Sequence, residues 1–197
     1  MKNQIKVIYM RTKIKTLLAS ALIITTILLS CNNIKESIER DLFITPTGGI
    51  SFTIPKISST ESGAVIGDLN VKNLNLDSLI NNASPRFGLK NVKTIRIKEF
   101  NLEFLNADSL NNIQNIENII VKIQASGQTV QSIATANPSS NVVTSKLSIP
   151  ITAGNSDIRA FLTSTSFSYN LSAKLRTATT KELKARATVT YTISVGL

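Results

Sequence analysis

Two C-terminal segments of this 197-residue chain alternate apolar and polar side chains with a period of two. In residues 167–175 and 185–195 every second residue is apolar, and the residues between are Ser, Thr, Asn, Lys or Arg. This period places all apolar side chains on one face of a β-strand, which excludes a helix for both segments. The short polar link 177–183 predicts that the two strands pair as an antiparallel hairpin with one solvated face.

Weaker forms of the same period recur through much of the chain. The further predicted strands are residues 50–54, 64–71, 92–104, 119–125 and 142–149. The apolar positions change parity at Lys98-Glu99, which predicts a β-bulge. Two segments, 76–82 and 157–163, have helical character instead. We predict an all-β protein, an antiparallel β-sandwich (immunoglobulin-like or related) of about seven to nine strands with one or two short helical segments.

The first 31 residues differ in composition from the rest. Five basic residues and no acidic residue precede Thr16–Ser30, an uncharged and mostly apolar run of fifteen. A membrane-spanning helix needs about 20 apolar residues, so this run is too short to span and is typical of a secretory signal peptide. Met10 is an alternative start to Met1, because the basic residues after it would suffice for such a signal.

The apolar run ends in Leu28-Leu-Ser-Cys31, and Cys31 is the only cysteine. This segment resembles the lipobox of bacterial lipoproteins, which has a leucine three residues before the cysteine and a small residue directly before it. The resemblance implies cleavage between Ser30 and Cys31 and attachment of fatty acyl chains such as palmitate through the Cys31 sulfur. Two or three acyl chains anchor a protein stably, so membrane lipid is the first implied partner. A core cysteine that follows an ordinary helix is the alternative.

The resemblance divides the chain into a signal peptide (1–30), a lipidated cysteine with its tether (31–48) and a single β-sandwich domain (49–197). Apolar residues four apart in residues 32–42 predict a short amphipathic helix, either a tether or a docking helix. The Asn, Ile and Ser content resembles that of Bacteroidota lipoproteins. No Asp stands at the second position of the mature chain and no acidic cluster directly follows Cys31. By analogy with lipoprotein sorting signals, this implies the periplasmic side of the outer membrane, with surface exposure as the alternative.

The composition excludes several kinds of active site. No histidine is present, which removes Ser-His-Asp, Cys-His and His-ligated metal sites. A single cysteine excludes an intrachain disulfide, and neither Ser-x-x-Lys nor a glycine-rich phosphate loop occurs. Glu99 and Glu103 are the nearest carboxylate pair for glycoside hydrolysis, but we favour their interpretation as solvated strand positions. We therefore predict no catalytic residue, no cofactor and no metal.

The positive charge is modest once the leader is set aside. Five of the 22 Lys and Arg residues lie in it, which leaves 17 against 12 acidic residues, so nucleic acid is not a predicted partner. Cations recur on three predicted strands. If these strands are neighbours, the cations form a strip suited to phosphate or acidic glycans. The strip comprises Arg96, Lys98, Lys174, Arg176 and Arg186. The alternative is that these cations suppress edge pairing of strands.

A six-residue pattern occurs twice, as Leu74-Asn-Leu-Asp-Ser-Leu79 and Leu105-Asn-Ala-Asp-Ser-Leu110. Each copy follows a predicted strand, where Asn and Asp side chains can cap a turn. The Asp-Ser-Leu of each copy is similar to the acceptor tripeptide for O-glycosylation of exported Bacteroidota proteins. The similarity implies Ser78 and Ser109 as modification sites.

These features predict a lipid-anchored, non-catalytic envelope lipoprotein that acts as a binding or structural module for an envelope protein or glycan. A surface-exposed adhesin or glycan-binding component is the alternative. A glycan-active enzyme with an unidentified carboxylate pair is a third hypothesis.

Overall fold

The computed structural model describes residues 39–60, 63–72, 74–152 and 156–197, in which nine strands form two antiparallel sheets that enclose one core. The predicted all-β sandwich is confirmed. The strands are β1 (Glu39–Ile44), β2 (Ile50–Ile54), β3 (Ala64–Lys72), β4 (Val92–Phe104), β5 (Ile116–Ala125), β6 (Gln131–Ala136), β7 (Lys146–Ile149), β8 (Ser166–Leu175) and β9 (Leu183–Gly196). Helices α1 (Leu76–Ala83) and α2 (Arg159–Leu162) form in the two segments predicted to be helical.

The sheets have different strand orders. Sheet A runs β1-β9-β4-β7, and β2 also pairs with β9, on the same edge as β1. The turn that lets β1 and β2 share this edge carries Gly48 and Gly49 at positive φ, a conformation that glycine adopts without steric cost. Sheet B runs β3-β8-β5-β6. The register of β4 shifts between Ile97 and Glu99, which confirms the predicted bulge.

The sandwich begins earlier than predicted. Glu39 is the first residue of β1, so the described part of the segment expected to be a helix, 32–42, is a strand of sheet A and not a tether. Leu42 and Ile44 are buried on either side of exposed Phe43, which is the period of a strand. The apolar residues up to Leu42 are spaced four apart, which fits a helix as well as a strand. Ile44, two positions after Leu42, continues the period of a strand and was not counted in that segment. The rest of that segment lies outside the described residues.

The two strongest predicted strands do not pair with each other. β8 lies between β3 and β5 in sheet B, and β9 lies in sheet A between β4 and the edge formed by β1 and β2. The predicted hairpin is therefore wrong, because the link after β8 crosses from one sheet to the other. The alternation of apolar and polar residues specifies only which face of each strand is buried. Two such strands can bury their apolar faces side by side in one sheet or face to face in two sheets, so the alternation does not decide between these arrangements.

A polar contact crosses the apolar core between the facing strands β8 and β9. Tyr169 and Tyr191 hydrogen-bond through their hydroxyl groups at 2.7 Å. The rings of Phe100 and Phe167 each pack edge-on against Tyr169, with centroids 5.5 Å apart. Burial raises the pKa of both tyrosines, that of Tyr191 to about 12, so both hydroxyls stay protonated at neutral pH and keep their mutual bond.

The two ends of the sandwich carry different segments. Glu39 pairs with Gly196, so the described chain enters where β9 ends and β4 begins, and we call this end the N-terminal pole. Helices α1 and α2 precede the strand starts at this pole. The opposite end, the distal pole, is built from the connections β4–β5 (105–115), β6–β7 (137–145) and β8–β9 (176–182).

Candidate ligand-binding site

The predicted cation strip is divided between the two sheets. Arg96 and Lys98 lie on β4 and Arg186 on β9, all in sheet A, whereas Lys174 and Arg176 lie on or directly after β8 in sheet B. The outer faces of the two sheets point away from each other, so the single strip does not form and its predicted geometry is wrong. The prediction required β8 to lie beside β9, and these strands face each other across the core instead.

Sheet A places one of the cations against an exposed aromatic ring and a second cation in the same cross-strand row. Lys98 Nζ lies 4.3 Å from the ring centroid of Phe43, within the range of a cation–π contact, and Phe43 is 61% exposed. Thr192 stands between Phe43 and Arg96 in one cross-strand row. Arg96 is half-buried, and its Nε has no hydrogen-bond partner within the described part of the chain. Together these side chains form a patch on sheet A that combines an exposed ring with two cations and a hydroxyl group.

Glu99 and Glu103, the nearest eligible carboxylate pair, are each held by a different lysine. Lys98 lies 3.9 Å from Glu99 and Lys146 lies 3.3 Å from Glu103. The two glutamates are four positions apart on β4, which separates their Cα atoms by about 13 Å. Arg186 pairs in register with Glu103, and both line a shallow groove of about 380 Å³. This arrangement neutralises the two carboxylates separately and does not join them as an acid pair.

Both predicted cations of sheet B have internal partners. Lys174 forms an ion pair with Glu117 at 2.8 Å. The guanidinium of Arg176 donates to the carbonyl oxygens of Gln114 at 3.0 Å and Pro138 at 2.5 Å. These acceptors are neutral, and no carboxylate among the described residues pairs with Arg176. Arg176 therefore ties together the connections of the distal pole and keeps a full positive charge there.

A pocket of about 420 Å³ opens beside Arg176 at the distal pole. All three connections of that pole contribute to its wall. The lining includes Ser109, Leu110, Gln114, Arg176, Thr177 and Thr180. The volume lies within the range of about 300–1,000 Å³ that small-ligand sites occupy. We call this cavity the distal pocket.

Two buried asparagines hold the wall of the distal pocket. The Asn111 amide donates to Thr180 Oγ1 at 2.8 Å, and its oxygen accepts the Thr180 backbone N–H at 2.8 Å. The Asn115 amide donates to Thr177 Oγ1 at 2.9 Å and to the carbonyl oxygen of Leu110 at 3.0 Å. Buried amides need such partners, so these bonds fix the β4–β5 connection against the β8–β9 connection.

An ion pair braces the same wall on its exposed side. Lys181 Nζ lies 2.6 Å from Asp108 Oδ2, and Asp108 Oδ1 accepts the Asn111 side-chain amide at 2.9 Å. The hydrogen bond from Lys181 lowers the pKa of Asp108 most, and the bond from Asn111 lowers it further. Together they hold this pKa well below its ordinary range. The carboxylate therefore stays charged at neutral pH and keeps both partners. The distal pocket thus combines several hydroxyl groups, an apolar rim and a fixed cation, which suits a polar ligand.

Two of the predicted modification sites lie within the described residues, and the predicted cleavage and lipidation site does not. Ser109 is exposed at the rim of the distal pocket, and Ser78 is exposed in the first turn of α1. Ser30 and Cys31 lie outside the described residues, as do all residues before Glu39.

Sequence reasoning missed the distal pocket and Phe43. The signals for the pocket were the Asn-rich segment 111–115 and the Thr-rich link 177–180, which read as ordinary polar connections. Their contact could not be inferred, because the asparagines and threonines that bond lie 69 and 62 positions apart. Phe43 was assigned to the tether because the first strand was not recognised.

Within the described ranges, no group of three or more His, Cys, Asp or Glu side chains is placed to hold a metal ion. Among those same residues, no helix combines the length and apolar character needed to cross a membrane. Comparison of the chain with family models and with curated proteins finds no match to either.

Proposed function

We propose that this protein is a lipid-anchored, non-catalytic binding module of a bacterial envelope, attached through Cys31. The basic leader, the fifteen-residue apolar run and the placement of the only cysteine support the anchor. The lack of histidine and the separate lysine partners of Glu99 and Glu103 support a role without catalysis. Membrane lipid is one proposed partner, and an envelope protein or glycan is the other.

The position of the distal pocket carries the binding proposal. The described part of the chain begins at Glu39 at one end of the sandwich, and the pocket lies at the other end. β9 has 14 residues, so it separates the two poles by about 45 Å. Eight residues from Cys31 to Glu39 reach at most about 28 Å when fully extended. An anchor at Cys31 therefore keeps the N-terminal pole near the membrane and leaves the distal pocket free to meet a partner.

A surface-exposed adhesin or glycan-binding component is the second candidate. The patch of Phe43, Lys98 and Arg96 favours it, because an exposed ring flanked by polar groups can pack against the apolar face of a sugar. The two candidates share the anchor and differ in the membrane side on which the sandwich lies.

Labelling with a radioactive fatty acid in the native host tests the anchor. The wild-type chain should incorporate label and lose its leader, and Cys31→Ser should do neither. Ser30→Ala is the matched control, since it keeps a small residue before the cysteine and should be processed normally. Label that persists in Cys31→Ser would overturn the anchor.

Site-specific photocrosslinking tests the orientation. A photoreactive residue at Leu110, 65% exposed at the distal pocket, should capture envelope partners in intact cells. The control position is Val130, 51% exposed beyond β5 at the N-terminal pole. Equal capture from both positions would contradict a distal binding site.

A non-penetrating protease applied to intact cells decides the membrane side. Protection until the cells are lysed supports the periplasmic location. Degradation on intact cells would contradict that location and support the surface-exposed candidate.

A further inference from the structure

Two threonine hydroxyls of the distal pocket are held in position by the asparagines behind them. Thr177 Oγ1 and Thr180 Oγ1 each accept a hydrogen bond from a buried asparagine amide. Neither hydroxyl donates to an acceptor among the described residues, so each O–H remains available to water or to a ligand. A hydroxyl whose oxygen already accepts one hydrogen bond has one fewer acceptor site for a ligand and still has its own proton to donate. The pocket wall therefore favours a ligand that is rich in acceptor oxygens.

The charge of the pocket favours an anionic acceptor. Lys181 is offset by Asp108 at 2.6 Å, whereas the neutral carbonyl partners of Arg176 leave its charge uncompensated. Because these carbonyls hold the guanidinium in place, its position does not depend on a ligand. Hydrogen bonds to ionised acceptors are about twice as strong as those between neutral groups, so a carboxylate gains most from this setting.

The rim of the pocket supplies an apolar surface. Leu110 is 65% exposed, and Ala178 also lines the cavity. A pyranose ring presents apolar C–H groups together with a rim of oxygens, which matches an aliphatic side chain beside hydroxyl donors. A bare inorganic anion would use the donors and leave Leu110 in water.

We infer that the distal pocket binds an acidic sugar, a pyranose that carries a carboxylate, through the hydroxyls of Thr177, Thr180 and Ser109 and the charge of Arg176. The inference rests on the proposed binding function and names the ligand class of that site. The proposed orientation leaves a polymer of such sugars able to reach the pocket without approaching the anchor.

Calorimetric titration of the full chain in detergent with methyl glucuronide tests the inference. Methyl glucoside, which has the same ring without the carboxylate, should bind at least about tenfold more weakly. Ser109→Ala removes a hydroxyl that makes no side-chain hydrogen bond among the described residues, and should weaken glucuronide binding several-fold. Thr188→Val, on sheet A outside the pocket, is the control and should leave binding unchanged.

Removing a threonine hydroxyl also removes the acceptor for a buried asparagine amide, so each Thr→Val variant is compared with the conservative Thr→Ser variant. Thr177→Val and Thr180→Val should each reduce glucuronide affinity about tenfold, and Thr177→Ser and Thr180→Ser, which keep the hydroxyl, should restore it. Melting temperatures measured alongside separate lost binding from lost folding.

Three outcomes would overturn the inference. They are equal binding of glucuronide and glucoside, equal binding of inorganic phosphate, or glucuronide binding that Ser109→Ala leaves unchanged. Each of these outcomes leaves acyl labelling at Cys31 and photocrosslinking from Leu110 untouched, so failure of the sugar assignment is distinguishable from failure of the anchored binding module.

Discussion

The two copies of the Leu-Asn-x-Asp-Ser-Leu pattern differ at one of six residues and form different structures. The first copy, residues 74–79, leads into α1 at the N-terminal pole. The second copy, residues 105–110, is an irregular turn that forms the rim of the distal pocket. Each copy follows a strand, as predicted, and each leads through a short 3-10 turn into the next strand. Two nearly identical six-residue segments are thus compatible with a helix and with an irregular turn at the rim of a pocket.

The difference arises from the apolar pairs that each copy can bury. Leu76 in the first copy and Ile80 directly after it are four positions apart and both are buried, which gives α1 one apolar face. The equivalent residues are Ala107 in the second copy and Asn111 directly after it, so no comparable apolar pair exists there. Because helices in proteins depend on packing of such a face, the second copy satisfies its polar groups by turn hydrogen bonds instead.

The matching asparagines show the same divergence. Asn75 Oδ1 accepts the backbone N–H of Ser78 at 3.0 Å and caps α1. Asn106 instead accepts the backbone N–H of Lys184 at 2.8 Å and donates to the carbonyl oxygen of Glu182. The local sequence therefore limits which hydrogen bonds an asparagine side chain can form. The backbone groups that the fold brings near it determine which of these bonds form.

The largest effect is expected when the residue that follows the first copy is replaced by the residue type that follows the second. Ile80→Asn removes a fully buried side chain from beneath α1 and buries an amide in its place. We expect the free energy of unfolding, measured by urea titration, to fall by about 4–5 kcal/mol. The exposed neighbour Asn82→Ala is the control and should change it by less than about 0.5 kcal/mol. A loss as small as that of the control would show that α1 does not depend on this side chain.

A smaller effect is expected for the second copy. Asn111→Ala removes the hydrogen bonds that join the β4–β5 connection to Thr180 and should cost about 2–3 kcal/mol. Ser109→Ala, two residues away and exposed, should leave stability nearly unchanged. If both substitutions cost the same, the asparagine network would not be what orders the distal pocket.

The cap of the first copy should contribute about 1 kcal/mol. Asn75→Ala removes the acceptor for the Ser78 N–H and should speed amide hydrogen exchange in the first turn of α1. Asn75→Asp keeps an acceptor at the cap and should exchange as the wild type does. Faster exchange in both variants would mean that the Asn75 side-chain amide protects the first turn of α1 in some way other than by accepting the Ser78 N–H.

The smallest effect should be the acid response of the second copy. The pKa of Asp108 is lowered in the folded chain, so its contribution to stability is complete above its ordinary value of 3.8 and is lost as the pH falls further. Urea titrations between about pH 6 and about pH 2 should therefore show a smaller acid loss for Asp108→Asn than for the wild type. In a Lys181→Met background this difference should shrink. If the difference between Asp108→Asn and Asp108 persists in the Lys181→Met background, a partner other than Lys181 lowers the Asp108 pKa.

Much of the fold could be predicted from the sequence because burial follows side-chain period. Residues 92–104 form β4 with the predicted bounds and bulge, and residues 76–82 lie in α1. β1 and β6 were missed, since their apolar residues are few and β1 follows a segment with helical spacing. The candidate site was predicted only at Arg176, because its other walls depend on contacts between distant segments.

The sequence by itself determined which face of each recognised strand lies inside and which positions along it carry cations and hydroxyl groups. Only the tertiary structure decided that β8 and β9 face each other, which divided the cation strip. The physical reason is that every strand offers the same backbone donors and acceptors, so partner choice depends on how all apolar faces pack together. The distal pocket follows from the same choice, because the crossing link brings Thr177 and Thr180 to the two buried asparagines.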